Sequence, residues 1–433
     1  MLKSERMNER MNNKRSVFAL RLLFFHKIIS IKWKNICIYQ KKAVSLQRIS
    51  ILFLMETNIL NPFITTGYAG AKYFCDREQE TEDLTRLLTN GNNVALISPR
   101  RYGKTNLIRH CFAQPEIADN YYTFIIDIYS TKSVADMVHR LGLSILETLK
   151  PMGRKAWEKF IAVLASVRQG ISYDSIGTPS WMLSIGDIAT PTTTLDEIFS
   201  YLEQADKPCI VAIDEFQQIA HYGDDRIEAT LRTYVQYCTN THFIFSGSQR
   251  HLMGQMFTSP ARPFYQSVSI YNLPLLPEDK YTDFCIRLFE ERGKRLSADV
   301  PHALYERFEG ITYYMQRIMN ELFARTADEG ICTVEDIEPA LTHIILNAAP
   351  TYEDLMYQLP EKQSLVLRAI AKDGKARNLT SGAFIKRHGL LSVSSVKSAV
   401  PALLDKGLIT NEKGAYQVYD KFFEIWLVKE LRG

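Results

Sequence analysis

The stretch that decides the fold reads Val94-Ala95-Leu96-Ile97-Ser98-Pro99-Arg100-Arg101-Tyr102-Gly103-Lys104-Thr105-Asn106-Leu107-Ile108-Arg109. Its first four residues are apolar and predict a buried strand. A basic loop with one glycine follows, and then the first turns of a helix. Strand, loop and helix in that order are the setting in which a loop ending Gly-Lys-Thr binds phosphate. Backbone N–H groups of the loop and the positive end of the helix cradle a polyphosphate. Ser98, Pro99, Arg100, Arg101, Tyr102, Gly103, Lys104, Thr105 and Asn106 are therefore the expected cradle. Lys104 is expected to reach the β- and γ-phosphates, and Thr105 to place its hydroxyl on Mg²⁺. Ser98 stands where such loops usually start with glycine. The strict steric demand falls on Gly103, so serine can still make the turn.

A second run, Cys209-Ile210-Val211-Ala212-Ile213-Asp214-Glu215-Phe216, is apolar and closes on two carboxylates. It reads as a central strand of a parallel sheet, buried on both faces. Asp214 is expected in the Mg²⁺ shell and Glu215 as the base that polarises the attacking water. A buried strand leading into an acidic helix start would look alike; the phosphate loop upstream gives the pair its meaning. A third run, Thr241-His242-Phe243-Ile244-Phe245-Ser246-Gly247-Ser248, is a strand ending in hydroxyls. Ser246 or Ser248 could position the water, or Ser-Gly-Ser could be a plain turn. Arg250 and Arg262 follow; each is a candidate arginine finger or an ordinary surface arginine.

Together these residues resemble the archaeal-type ATPase family of the AAA+ and signal-transduction P-loop NTPases. Asn61-Pro62-Phe63 with Phe74-Cys75-Asp76-Arg77-Glu78 is similar to that family's lead-in segment. Gly310-Ile311-Thr312-Tyr313-Tyr314-Met315-Gln316 is similar to its lid-helix motif, and Gln266 to Leu276 to its last core strand. The likeness spans about residues 58–430. It implies an α/β P-loop NTPase with a parallel sheet in strand order 5-1-4-3-2, a helical lid and a C-terminal winged helix-turn-helix. It also implies ATP, and no guanine-reading motif is visible. Where a lid-sensor arginine is expected only Arg317 is seen, and it lies beyond the motif, which puts nucleotide-driven lid closure in doubt. The expected division is 55–276 for the ATPase core, 277–350 for the lid and 355–433 for the winged helix.

Composition agrees with a globular protein of two or three domains: 433 residues, 46% hydrophobic and 23% charged. Seven scattered cysteines, none in Cys-x-x-Cys, argue against a disulfide framework or a zinc site and for a reducing cytoplasm. The net charge of +4 hides an uneven distribution. Residues 1–54 carry 12 Lys and Arg against 2 acids, residues 55–360 carry 27 against 39, and residues 361–433 carry 13 against 7. The first segment reads as a disordered basic stretch or as sequence ahead of a true start at Met55. A basic arm and a signal or anchor are its other readings. No run reaches the roughly 18 uninterrupted apolar residues of a membrane span.

Past residue 361 the pattern predicts helices over 363–371 and 381–387, closed by Gly389. A third starts near Ser392 with Val396, Val400 and Leu403 buried and Ser394, Ser395, Lys397 and Ser398 outward. Pro401 could shorten or kink it. A hairpin follows over 408–419. Such a module docks on duplex DNA through its third helix, with Lys386, Arg387 and Lys413 on phosphates, or on a protein. Upstream, 120–130 predicts a strand whose Asp127 caps a turn or faces the site, 133–149 and 157–168 predict helices, and 170–191 an irregular insertion or hairpin before a helix over 194–204. Three functions fit. The first is a Mg²⁺-dependent ATPase acting as a nucleotide switch. The second is a DNA-binding regulator that holds ATP with little hydrolysis. The third is a signalling scaffold that forms homo-oligomers or binds a protein client.

Overall fold

The computed structural model describes residues 59–167, 170–174, 177–181 and 188–430. The expectations for residues 1–54 lie outside that set. The chain divides into two units between Pro62 and Phe63. The second carries a central sheet of β1 (Val94–Ile97), β2 (Tyr122–Asp127), β3 (Cys209–Asp214), β4 (Thr241–Gly247) and β5 (Ser269–Asn272). Their order is β2-β3-β4-β1-β5 with every neighbour parallel. Read from the other edge, this is the expected 5-1-4-3-2.

The period-2 geometry of a strand explains the composition of these runs. Ala95, Ile97, Val211, Ile213, Phe243 and Phe245 point into one core. Val94, Leu96, Ile210, Ala212 and Ile244 point into the other. The second core is covered by α1 (Glu78–Thr89) and α2 (Lys104–Phe112), through Leu84, Leu88, Leu107 and Ile108. The first is covered by α3 (Val134–Leu149), α4 (Arg154–Val163), α5 (Pro191–Gln204), α6 (Ile227–Tyr237) and α7 (Arg250–Thr258). At its centre Phe216, Phe245, Phe257 and Phe264 pack ring on ring. Burying each such side chain contributes about 2–3 kcal/mol.

α4 starts and stops earlier than its predicted 157–168. It enters through Gly153 at φ 102° and leaves at Leu164, which is not helical. The predicted insertion is in part a short antiparallel pair, Ile171–Tyr173 with Pro179–Trp181. After the sheet come α8 (Glu278–Glu290), α9 (Asp299–Arg307), α10 (Thr312–Arg325) and α11 (Ile337–Tyr357). Phe63 fits among Phe284, Phe289 and Phe323 of this bundle, and its carbonyl accepts from Asn320 Nδ2 at 2.8 Å. α11 runs unbroken through Pro350, so the expected end of the lid lies inside a helix.

The C-terminal part is α12 (Glu361–Asp373), α13 (Gly382–His388), α14 (Val393–Asp405), the hairpin β6 (Ile409–Glu412) and β7 (Ala415–Val418), and α15 (Lys421–Glu430). Gly389 closes α13 as expected, in the left-handed conformation. Two expectations need correction. Pro401 does not stop α14, which continues to Asp405. Ser395 is buried rather than outward, because it closes a reciprocal cap with Ser392, each side chain bonding the other's backbone N–H. Among the described residues no helix is long and apolar enough to cross a membrane.

Candidate functional site

Parallel strands gather their C-terminal ends on one edge, and ligands of such sheets bind there. β1 leaves that edge as the phosphate loop. Ser98 is fully buried; its N–H donates to Gly247 O at 3.3 Å, tying the loop to the end of β4. Gly103 is the N-cap of α2 at φ 90°, with open space where a Cβ would sit. The requirement there is backbone conformation, not room. Lys104 is buried and donates from Nζ to Ser98 O at 3.0 Å and Pro99 O at 3.2 Å. Burial pulls its pKa below the ordinary lysine value, against the charges of Glu215 and Asp214.

The carboxylates of β3 meet this loop directly. Thr105 Oγ1 donates to Asp214 Oδ2 at 2.5 Å. Asp127 pairs in register with Asp214 across β2 and β3. Burial, joined by the charges of Asp214 and Glu215, raises the Asp127 carboxyl above the usual range, although it accepts from Tyr129 N–H at 2.8 Å. Asp127 thus makes a local turn contact and stands beside Asp214 in the sheet. Glu215 follows in the left-handed region at φ 55°, which turns its side chain out of the strand. Its Oε2 accepts from Ser248 Oγ at 2.6 Å and from Gln217 Nε2 at 2.5 Å. Arg100 Nε donates to the same Ser248 hydroxyl at 3.3 Å and stands 3.9 Å from Glu215 Oε1. Ser246 is buried, and its hydroxyl makes no hydrogen bond among the described residues.

Gly247 is needed for a different reason from Gly103. A Cβ there would lie 2.4 Å from Met253 Sδ and 2.6 Å from Gln217 Oε1. The hydroxyl and carboxylate oxygens of Thr105 and Asp214, already in contact, are hard donors that suit Mg²⁺.

The loop also faces the bundle and the winged helix. Arg101, at φ 73°, donates from Nη1 to the Tyr314 hydroxyl and from Nη2 to Asp420 Oδ2 at 2.8 Å. Its guanidinium stacks at 4.7 Å from the Tyr313 ring and 4.9 Å from each of the Tyr314 and Tyr419 rings. The Tyr314 hydroxyl in turn donates to Tyr419 O and accepts from Lys421 N–H. On the other side of the loop a cavity opens between Tyr68, Phe74, Arg77, Tyr102, Asn106 and Gln316. Arg77 Nη2 and the Tyr73 hydroxyl are buried beside it without hydrogen bonds among the described residues.

The structure thus brings Ser98 through Asn106, Asp214 and Glu215 to one edge. Residues 350–429 match the family described as a probable winged helix domain. A Walker-type ATPase of Pyrococcus abyssi superposes with a TM-score of 0.59 at 18% identity, over 85% of this chain and 99% of that one. This chain has the fold of a P-loop ATPase with a C-terminal winged helix. The resemblance read from its motifs therefore holds at the level of fold. Weaker likenesses reach the ORC1 protein of Aeropyrum pernix, solved in complex with DNA (TM-score 0.49, 14% identity, 86% and 97% covered). They also reach the ORC2 protein of the same organism in its ADP form (TM-score 0.45, 13% identity, 82% and 95% covered). No curated protein matches the chain.

Of the two arginines offered as fingers, Arg262 is engaged by Glu228 on α6. Arg250 is exposed at the first turn of α7, where its charge is felt at Tyr102 and Lys104. Sequence reasoning missed Tyr129, Tyr314, Tyr419, Asp420 and Gln217. One signal was present. Asp420 sits between a strand and an apolar helix, where aspartate caps, and it does accept from Phe422 N–H at 2.9 Å.

Proposed function

We propose that this chain binds ATP with Mg²⁺ and hydrolyses it, and that the nucleotide opposes docking of the winged helix on the phosphate loop. One observation carries the reading. A single loop meets the β3 carboxylates through Thr105 and, four residues earlier, meets Asp420 through Arg101. A change at the phosphates is therefore a change at the winged helix.

Lys104 now spends its protons on the carbonyls of its own loop. A triphosphate has to take them over, with the loop N–H groups and the start of α2 supplying the rest of the cradle. Thr105 and Asp214 would hold Mg²⁺, which neutralises phosphate charge. Glu215 takes the proton of the attacking water as its oxygen bonds to the γ-phosphorus and the bridge to the β-phosphate breaks, leaving ADP and phosphate. Ser248 and Gln217 fix the direction of that carboxylate. Positioning and electrostatics supply the rate. The cavity beside Tyr102 and Asn106, with its unsatisfied Arg77 donor, supports a base next to the phosphates. The six described cysteines are free, which supports a reducing compartment such as the cytoplasm.

Nucleotide affinity and phosphate release test this. Lys104→Ala is expected to abolish ATP binding. Glu215→Gln should bind ATP like the wild type and release no phosphate; normal hydrolysis by that variant refutes Glu215 as the base. A second reading, contact with duplex DNA, draws on Ser394, Lys397 and Ser398, which are exposed together on α14. Full-length protein should then bind duplex at low salt and lose it steeply as salt rises. Absence of low-salt binding removes it, and the exposed Leu391 and Val393 at the start of α14 would then mark a protein surface.

A further inference from the structure

We infer that Arg100 is the arginine that stabilises the γ-phosphoryl group during hydrolysis, supplied in cis by the phosphate loop itself, and that the docked winged helix stores it against Glu215. This rests on the ATPase reading given above.

Position comes first. Arg100 and Arg101 are neighbours in sequence but serve opposite sides of the loop. Arg101 faces the bundle and Asp420, whereas Arg100 reaches the end of β4 and the carboxylate at the end of β3. A guanidinium 3.9 Å from the base and 3.3 Å from Ser248 stands where the attacking water and the γ-phosphate must meet that base. Charge spreads over the γ-oxygens in the transition state, and an arginine there acts without covalent chemistry.

Pre-organisation comes second. The Arg100 guanidinium lies 4.6 Å from the Tyr129 ring centre and 5.9 Å from that of Tyr419. Tyr129 belongs to the segment after β2, beside Asp127. Tyr419 belongs to the winged helix and directly precedes Asp420, the partner of Arg101. The docked winged helix therefore reaches both arginines at once. In this docked arrangement Arg100 faces Oε1 of Glu215 while Ser248 and Gln217 occupy Oε2. Both oxygens of the base are engaged, and the arginine is spent on the base rather than on phosphate. Undocking withdraws Tyr419, frees Arg100 to turn to the γ-phosphate, and frees Oε1 for water. Of the two arginines read as fingers, Arg262 is held by Glu228, and Arg250 on α7 makes no hydrogen bond or ion pair to Glu215 or Ser248 among the described residues.

The test uses the full chain with Mg-ATP. Arg100→Ala should bind a fluorescent ATP analogue within about threefold of wild type, turn over roughly 10³-fold more slowly, and fail to trap ADP with aluminium fluoride. Arg100→Lys should lose nearly as much rate, because an ammonium lacks the planar fork. Tyr419→Ala should raise basal turnover several-fold, and should do nothing in the Arg100→Ala background. Turnover of Arg100→Ala within threefold of wild type overturns the inference. So does a fall in ATP affinity as large as the fall in rate, which would make Arg100 a ground-state contact. Those results leave the ATPase reading standing. Failure of the wild type itself to bind ATP, with Lys104→Ala no different, overturns both.

Discussion

Asp420→Asn isolates the link between loop and winged helix. Aspartate here does two things: Oδ2 accepts from Arg101, and Oδ1 accepts from Phe422 and Phe423 N–H at the start of α15. Asparagine is as good a cap, so α15 keeps its first turn. What is lost is the charge and also the acceptor that faces Arg101, because with the amide oxygen on the cap the amide nitrogen there can only donate. The two side chains are 21% and 27% exposed, so solvent screens the pair only in part. A hydrogen bond to a charged group contributes about 1.5–3 kcal/mol. The lower end of that range, about 1.5 kcal/mol for a partly screened pair, is close to tenfold in an equilibrium constant. Amide exchange along α15 in nucleotide-free protein should therefore quicken about tenfold, since it reports local opening. If docking and nucleotide oppose each other, coupling is reciprocal and ATP should bind tighter by up to the same factor. Arg101→Met should reproduce the exchange change and abolish any further effect of Asp420→Asn. Unchanged exchange refutes Asp420 as the holding group. Faster exchange with unchanged or weaker ATP binding refutes the opposition between nucleotide and docking.

Two glycine variants separate backbone from room. Gly103→Ala forces a side chain into the left-handed conformation at a cost of about 1–2 kcal/mol, so ATP affinity should fall at least several-fold while the fold, by far-UV dichroism, stays intact. Gly247→Ala must push Gln217 or Met253 aside and so unseat Glu215; turnover should fall at least tenfold with ATP affinity little changed, and equal loss of both would place the damage in the loop instead.

The parts of this site that were legible in the sequence are those whose chemistry is local. Gly-Lys-Thr lies between a strand and a helix, and the strand ending Asp214-Glu215 is apolar to its last residue, because both faces of a parallel sheet are buried. Their meeting could be foreseen because phosphate and metal chemistry needs them at one point. Ser395 was misplaced for a local reason of a different kind: a reciprocal cap overrode helical periodicity. Trp157 to Arg168 had the right periodicity with the wrong ends, since Gly153 and Leu164 set them by backbone conformation.

The clamp around Arg101 was illegible for a reason that says something about how the protein works. Its members come from α10, from the end of the wing and from the cap of the last helix, more than 200 and 300 residues away from the loop. Each has an adequate local explanation: Tyr314 as core, Tyr419 as strand, Asp420 as cap. Only their convergence on one guanidinium gives them a joint role, and that convergence exists only while the winged helix is docked. A phosphate cradle would need no such arginine, because Lys104, the loop N–H groups and the start of α2 would suffice for it. A constitutive contact between bundle and winged helix would not need the phosphate loop either. Phe308, Tyr314 and Phe422 already pack together. Placing the latch on the loop, one residue from Arg100 and two from Gly103, makes sense if docking is meant to sense the phosphates. A chain in which Arg101 could become methionine with docking, ATP affinity and turnover all unchanged would remove that reason.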